Sequence, residues 1–260
     1  MLLFRALFCG VLFFHAGIAF AQSKDPRIIV ESVVKAMGGQ DAFYAQKSVE
    51  YTYIYGDPDG KMDRSTERYV FDGELSWAKY TTRDLLFPER KGTFVQGYDG
   101  NTAWATIDGK ITNDEEVLRR SDFLRKTNFY WFAMMFKLLD PGLFYTYEGS
   151  KIVDGVSYDL VRVAFDDGVG DASDTYILYV NRRTRMVDRF LFTVMDFGRS
   201  DPLLMLVEYE EVNGIKLPAK RKYGPSDWDG TEPGEWTHEI MKDIKLNVPV
   251  KRAIFQAPGS

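Results

Sequence analysis

Near its start the chain has apolar residues spaced for a helix. Over residues 25–37, Ile29, Val33 and Met37 recur every four positions, with Val30 and Val34 beside them. That spacing predicts an amphipathic helix with one side against a sheet. Asp25 supplies an N-cap oxygen, and Pro26 suits the first helical position. Gly38-Gly39 ends the helix, and residues 41–46 add another turn or two.

From Lys47 the period becomes two. Val49, Tyr51, Tyr53 and Tyr55 alternate with Glu50, Thr52 and Ile54, as in a half-buried strand. Turn sequences then punctuate the chain at Asp57-Pro58-Asp59-Gly60, Asp72-Gly73, Asp99-Gly100, Asp108-Gly109, Asp154-Gly155 and Asn213-Gly214. Asp-Gly and Asn-Gly tolerate the positive φ angles of type I′ hairpin turns. Later strands are predicted over 143–147, 157–165, 175–181, 186–194, 203–212, 217–223 and 235–246. No parallel βαβ alternation is visible, so the pattern predicts an antiparallel meander of at least ten strands. The long loops 166–174 and 224–234 lie at one level of it and suit the rim of a binding mouth.

The alternation breaks once, over residues 128–139. Asn128-Phe129-Tyr130-Trp131-Phe132-Ala133-Met134-Met135-Phe136-Lys137-Leu138-Leu139 is apolar almost all round and is closed by Asp140-Pro141-Gly142. It is too short to span a bilayer at about 1.5 Å per residue. A helix apolar on every face has to be buried. The expectation is a helical plug in the concave face of a curved sheet. It serves either as plain core or as one wall of a ligand cavity, and the pattern leaves both open. A preceding helix is expected from capping-box spacings at Thr112/Glu115 or Asn113/Glu116. Its acids come first and its bases, including Arg119, Arg120, Arg125 and Lys126, come last, which complements the helix dipole. In this reading Arg120 is an outer residue whose charge reversal costs little.

Phe71-Asp72-Gly73-Glu74-Leu75-Ser76-Trp77 is echoed by Tyr98-Asp99-Gly100-Asn101-Thr102-Ala103-Trp104. Two neighbouring hairpins thus put Trp77 and Trp104 on corresponding faces, as a cavity wall or as core. At 45% hydrophobic and 15% aromatic, the chain has apolar side chains enough for a core and a cavity lining.

Residues 1–21 read as a signal peptide, with Arg5, an apolar run over 6–20, and Ala19-Phe20-Ala21 as the cleavage pattern. Cleavage after Ala21 leaves residues 22–260 as one domain. Cys9, the lone cysteine, leaves with the peptide, so the mature chain has no disulfide and no Cys metal site. Export without cysteine fits a periplasm. The full sequence carries 33 basic and 38 acidic side chains, which argues against a nucleic-acid partner.

Enzyme motifs are missing. His238 sits in His-Glu-Ile-Met-Lys, which lacks the second histidine of a zinc-protease helix. There is no G-x-S-x-G elbow, no Walker A loop and no dinucleotide-binding glycine motif. The acidic loop 166–174 lacks EF-hand spacing. A glycosidase-like pair drawn from Asp227, Asp229, Glu232 and Glu235 is a third-ranked, hydrolytic reading. No cofactor and no metal are expected.

Three local phrases resemble a known group: Tyr98-Asp99-Gly100-Asn101-Thr102-Ala103-Trp104, Tyr179-Val180-Asn181-Arg182-Arg183-Thr184-Arg185-Met186-Val187, and Val212-Asn213-Gly214-Ile215-Lys216-Leu217-Pro218. With the order of elements, they resemble the LolA/LolB-like superfamily of periplasmic lipoprotein carriers. The resemblance is to a branch marked by the 128–142 plug and the Met37-Gly38-Gly39 helix end. It implies an unclosed β-barrel with a helical lid over an apolar cavity that takes acyl chains. It also implies a lid-holding arginine, for which Arg64, Arg68 and Arg83 are early-strand candidates.

The expected fold class is therefore α+β, mainly β: a curved antiparallel meander with an N-terminal helix and a mid-chain helical plug or lid. The expected function is a non-enzymatic periplasmic carrier of a lipid or lipoprotein acyl chain, served by a membrane-associated donor or acceptor protein. The expected ligand-binding residues are Trp77, Trp104, Phe129, Trp131, Phe132, Met135, Phe136 and Leu139. The alternative is a structural or partner-binding β protein whose plug never leaves.

Overall fold

The computed structural model of the protein describes residues 23–166 and 174–259. The expected signal peptide and most of the acidic loop lie outside the described residues. Helix α1 (Pro26–Ala36) starts on Asp25, whose carboxylate accepts from the backbone N–H groups of Arg27 and Ile28. Its Ile29, Val30, Val33 and Val34 are buried, as their spacing predicts. Gly38 is required where the chain leaves the helix: its φ is +113°, and a Cβ there would lie 2.5 Å from the Gly214 carbonyl oxygen. That close approach lets Met37 C=O accept from Lys216 N–H at 2.9 Å. A short helix α2 (Gln40–Tyr44) follows.

Six strands precede the long helix: β1 (Ser48–Gly56), β2 (Met62–Val70), β3 (Leu75–Arg83), β4 (Phe94–Tyr98), β5 (Ala103–Ile107) and β6 (Lys110–Ile111). Helix α3 (Glu115–Lys137) comes next. Seven strands follow: β7 (Leu143–Val153), β8 (Val156–Phe165), β9 (Tyr176–Asn181), β10 (Val187–Val194), β11 (Arg199–Val212), β12 (Ile215–Pro225) and β13 (Thr237–Leu246). They form one sheet in the order β6-β5-β4-β3-β2-β1-β13-β12-β11-β10-β9-β8-β7. The pairings are antiparallel. Asp108-Gly109, Asp154-Gly155 and Asn213-Gly214 each have two consecutive positive φ angles, as type I′ turns require.

The two edge strands, β6 and β7, are the strands that flank α3 in sequence. The sheet is thus two meanders joined through β1 and β13, curved and unclosed, and α3 is the segment that crosses from one free edge to the other. The fold is mainly β, an unclosed antiparallel barrel with an N-terminal helix and a mid-chain helix on its concave side.

One local expectation is corrected. The plug and the helix before it are a single 23-residue helix. No Gly or Pro separates Lys126 from Asn128, so nothing ends the first helix. The N-cap is Asp114, which accepts from the N–H groups of Glu116 and Val117, in place of Thr112 or Asn113. Thr112 instead accepts from Asp114 N–H through its hydroxyl at 3.2 Å.

Candidate functional site

The alternation of the strands builds a concave face that α3 crosses. Tyr51, Tyr53 and Tyr55 of β1 register with Glu67, Ser65 and Asp63 of β2, and Tyr53 with Met241 of β13. On the other meander Arg221 pairs with Val207, Tyr223 with Met205, Phe190 with Met205, and Phe192 with both Leu203 and Tyr176. Between this face and α3 lies a cavity of about 1900 Å³. Phe129, Tyr130 and Trp131 line it from the helix, and Tyr176, Phe192, Leu203 and Met205 line it from the sheet. Tyr55 and Tyr223 also face it and share a hydrogen bond of 2.8 Å between their hydroxyls.

Two buried arginines tie α3 to the sheet. Arg125 of α3 reaches Glu67 of β2 at 2.5 Å, and both side chains are fully buried. Its second Nη bonds the other Glu67 oxygen at 3.3 Å. Glu67 also accepts from Ser65 at 2.7 Å and from the Tyr69 hydroxyl at 3.1 Å. Nearby, Gln96 of β4 donates to Ser121 of α3 at 2.8 Å. Burial works against the Arg125 charge, but the Glu67 carboxylate beside it outweighs that, and the guanidinium pKa ends above its ordinary value. Arg125 Nε has no partner, an orphan donor in an otherwise bonded cluster. The second tie is Arg221 of β12. It lies 2.6 Å from Glu239 of β13 and donates to the Trp131 carbonyl of α3 at 3.0 Å.

The early-strand arginines do other work. Arg64 is exposed, and Arg68 pairs with Glu50 at 2.7 Å. Arg83 holds the 84–91 loop by donating to the carbonyls of Leu86, Phe87 and Arg90. Helix holding falls to Arg125 and Arg221. Neither carried a local sequence signal, because each is defined by a partner far along the chain.

The structure divides the expected site residues into three groups. Phe129 and Trp131 line the cavity. Phe132, Met135 and Phe136 are buried in the main core, where Phe136 stacks on Phe43 at 4.2 Å and Phe132 on Tyr51 at 5.9 Å. Leu139 packs partly buried against that core. Trp77 and Trp104 do share a face, as the hairpin echo suggests, but it is the convex one. They line a separate hollow under the C-terminal segment, with Ile254 and Pro258. Trp104 donates its indole N–H to Phe255 C=O at 2.6 Å. Gly97 leaves room for its ring.

Arg120, read from sequence as an outer residue, lines the cavity mouth. The 224–234 loop is held by its own acids. Asp227 accepts from Thr231 at 2.7 Å, and Glu232 pairs with Arg189 at 2.5 Å. His238 and Glu239 are neighbours on β13 but face opposite sides, one exposed and one buried.

No protein-family model matches this sequence, and no curated protein matches it. Solved structures do match. A DUF1329 family protein from Desulfovibrio piger superposes with a TM-score of 0.52 at 12% identity, over 89% of this chain and 97% of its own. A LolA superfamily protein from Nitrosomonas europaea gives a TM-score of 0.52 at 14% identity, over the same 89% and 97%. The chain has a LolA-like fold. Identities this low speak to fold alone.

Proposed function

We propose that the protein is an exported, non-enzymatic carrier that holds a long-chain hydrophobic ligand between α3 and the concave sheet. The observation that carries this reading is the cavity of about 1900 Å³ walled by Phe129, Tyr130, Trp131, Tyr176 and Phe192. Sites for drug-sized molecules are roughly 300–1,000 Å³, so this space suits an extended chain better than a compact metabolite. The LolA-like fold fits the carrier role that the sequence resemblance implies. Export rests on the leader pattern of residues 1–21, with the periplasm as destination and residues 22–260 acting as one unit.

The proposed mechanism differs from expulsion of a whole plug. Phe132, Met135 and Phe136 belong to the core and stay. The ligand chain packs against the part of α3 that already faces the cavity. A membrane-associated donor or acceptor protein would load and unload it.

A second reading has its own support. The deep burial of Phe132, Met134, Met135 and Phe136 is what a permanently packed structural or partner-binding protein would show. Titration with an environment-sensitive naphthylamine dye, followed by displacement with a neutral long-chain alcohol, separates the two. Saturable, displaceable binding supports the carrier. No binding by the folded protein, and no lipid by mass spectrometry of material extracted from its native compartment, supports the structural reading.

A further inference from the structure

The cavity has chemistry at its mouth that an apolar chain alone does not use. We propose that the ligand is an anionic amphiphile, with its acid head held by Arg120 and Arg199 and its chain laid on the aromatic wall. This rests on the carrier reading and names the ligand class.

Three observations carry it. First, Arg119, Arg120 and Arg199 all line the cavity and are exposed. Second, the mouth brings two elements together. Phe123 of α3 meets Phe197, in the turn between β10 and β11, edge to face at 4.8 Å. The Arg120 guanidinium lies over both rings, 5.5 Å from Phe123 and 5.8 Å from Phe197. Arg199 follows Phe197 by two residues and pairs with Val194, another lining residue. The two cations therefore stand on opposite elements beside one aromatic contact.

Third, the charges around the mouth are unevenly satisfied. Most lining acids have partners: Glu239 faces Arg221, Glu74 and Asp140 face Lys137, Asp122 faces Lys126, and Glu89 faces Arg90. Asp63 and Asp174 accept from backbone N–H groups. Glu116 remains, in the first turn of α3, where the helix dipole favours it. Arg119, Arg120 and Arg199 form no ion pair among the described residues. On a chain of formal charge −5, cations at the mouth of this cavity without carboxylate partners among the described residues are a complement to an acid. Guanidinium forks suit carboxylate and phosphate oxygens alike.

The test titrates the mature chain with oleate, oleyl phosphate and oleyl alcohol, which share one chain and differ in head, each below its micellar concentration. The expected result is tighter binding of one or both acids than of the alcohol, and the two acid arms tell carboxylate from phosphate. Arg120→Gln with Arg199→Gln should weaken the acids by roughly tenfold or more while leaving the alcohol unchanged. Both side chains are exposed, so the variant should melt like the parent. Equal affinity for all three heads, or an equal loss for all three in the variant, overturns the head-group assignment and leaves the carrier reading standing. Binding of none of them overturns the carrier reading itself.

Discussion

Arg125, in the middle of α3, and Glu67, in β2, form an ion pair at 2.5 Å with neither side chain exposed to solvent. The contact joins residues 58 apart and fixes where the helix crosses the sheet. A buried pair costs desolvation on both sides, so removing one partner leaves an uncompensated charge. Arg125→Met alone should destabilise the protein by about 3–5 kcal/mol. Arg125→Met combined with Glu67→Leu should recover much of that loss, because no charge is stranded. Urea denaturation of the two singles and the double gives the coupling. Additive losses would mean that the two residues do not act as a pair.

Phe136 and Trp131 sit on one helix but should fail differently. Phe136 has no exposure and stacks on Phe43. Phe136→Ala should cost about 3–5 kcal/mol, and the fraction that still folds should bind dye normally. Trp131 is only partly buried, lies 5.9 Å from Phe190 and lines the cavity. Trp131→Ala should weaken dye binding severalfold with a smaller drop in melting temperature. Its backbone carbonyl, and so its bond to Arg221, is untouched. The reverse pattern would put the ligand on the core side of the helix.

Local spacing made the scaffold readable. Asp25-Pro26, the period of four after it, the period of two from Val49 and the Asp-Gly turns each depend on neighbours within a few residues. The same logic found that Trp77 and Trp104 share a face. It could not tell which face is concave. Ser65 and Glu67 of β2, Ser76 of β3 and Gln96 of β4 are polar, yet all four are buried. Arg125 and Ser121 of α3 reach Glu67, Ser76 and Gln96, and Ser65 bonds Glu67. Polar residues in the concave face and tryptophans on the convex one invert the usual signal, and only long-range pairing reveals it. Arg221 was hidden for the same reason, since its partners Glu239 and Trp131 are 18 and 90 residues away.

The position of Trp104 has its own test. A Cβ on Gly97 would lie 2.3 Å from the Trp104 ring, so the ring would have to move. Gly97→Ala should cost about 1–3 kcal/mol as overpacking. It should also disturb the bond from Trp104 to Phe255 and loosen the C-terminal segment, read as faster proteolysis there. Dye affinity should not change, because Trp104 lies outside the large cavity. A matching loss of dye affinity would bring Trp104 back to the binding site.

The tyrosines predict an alkaline limit to stability. Thirteen of the fifteen are held above their ordinary pKa, each chiefly by burial. Tyr44, which donates to Asp140, and Tyr158, which donates to Asp188, are pushed from 10.0 to about 12. A phenol with a raised folded pKa keeps its proton where the unfolded chain has lost it. The stabilisation is complete below pH 10, where both states are protonated, and is lost as pH rises through the folded values. For Tyr44 and Tyr158 that window runs from pH 10 to about 12. Tyrosinate absorbance of the folded protein should therefore lag behind free tyrosine and then rise steeply together with loss of the near-ultraviolet dichroism. Tyr53→Phe removes one buried phenol from the cavity wall and should make the fall in stability above pH 10 shallower. Most tyrosines ionising near pH 10 while the dichroism stays native would show that they are open to water, and the tyrosine-lined concave face would then be solvated instead of closed by α3.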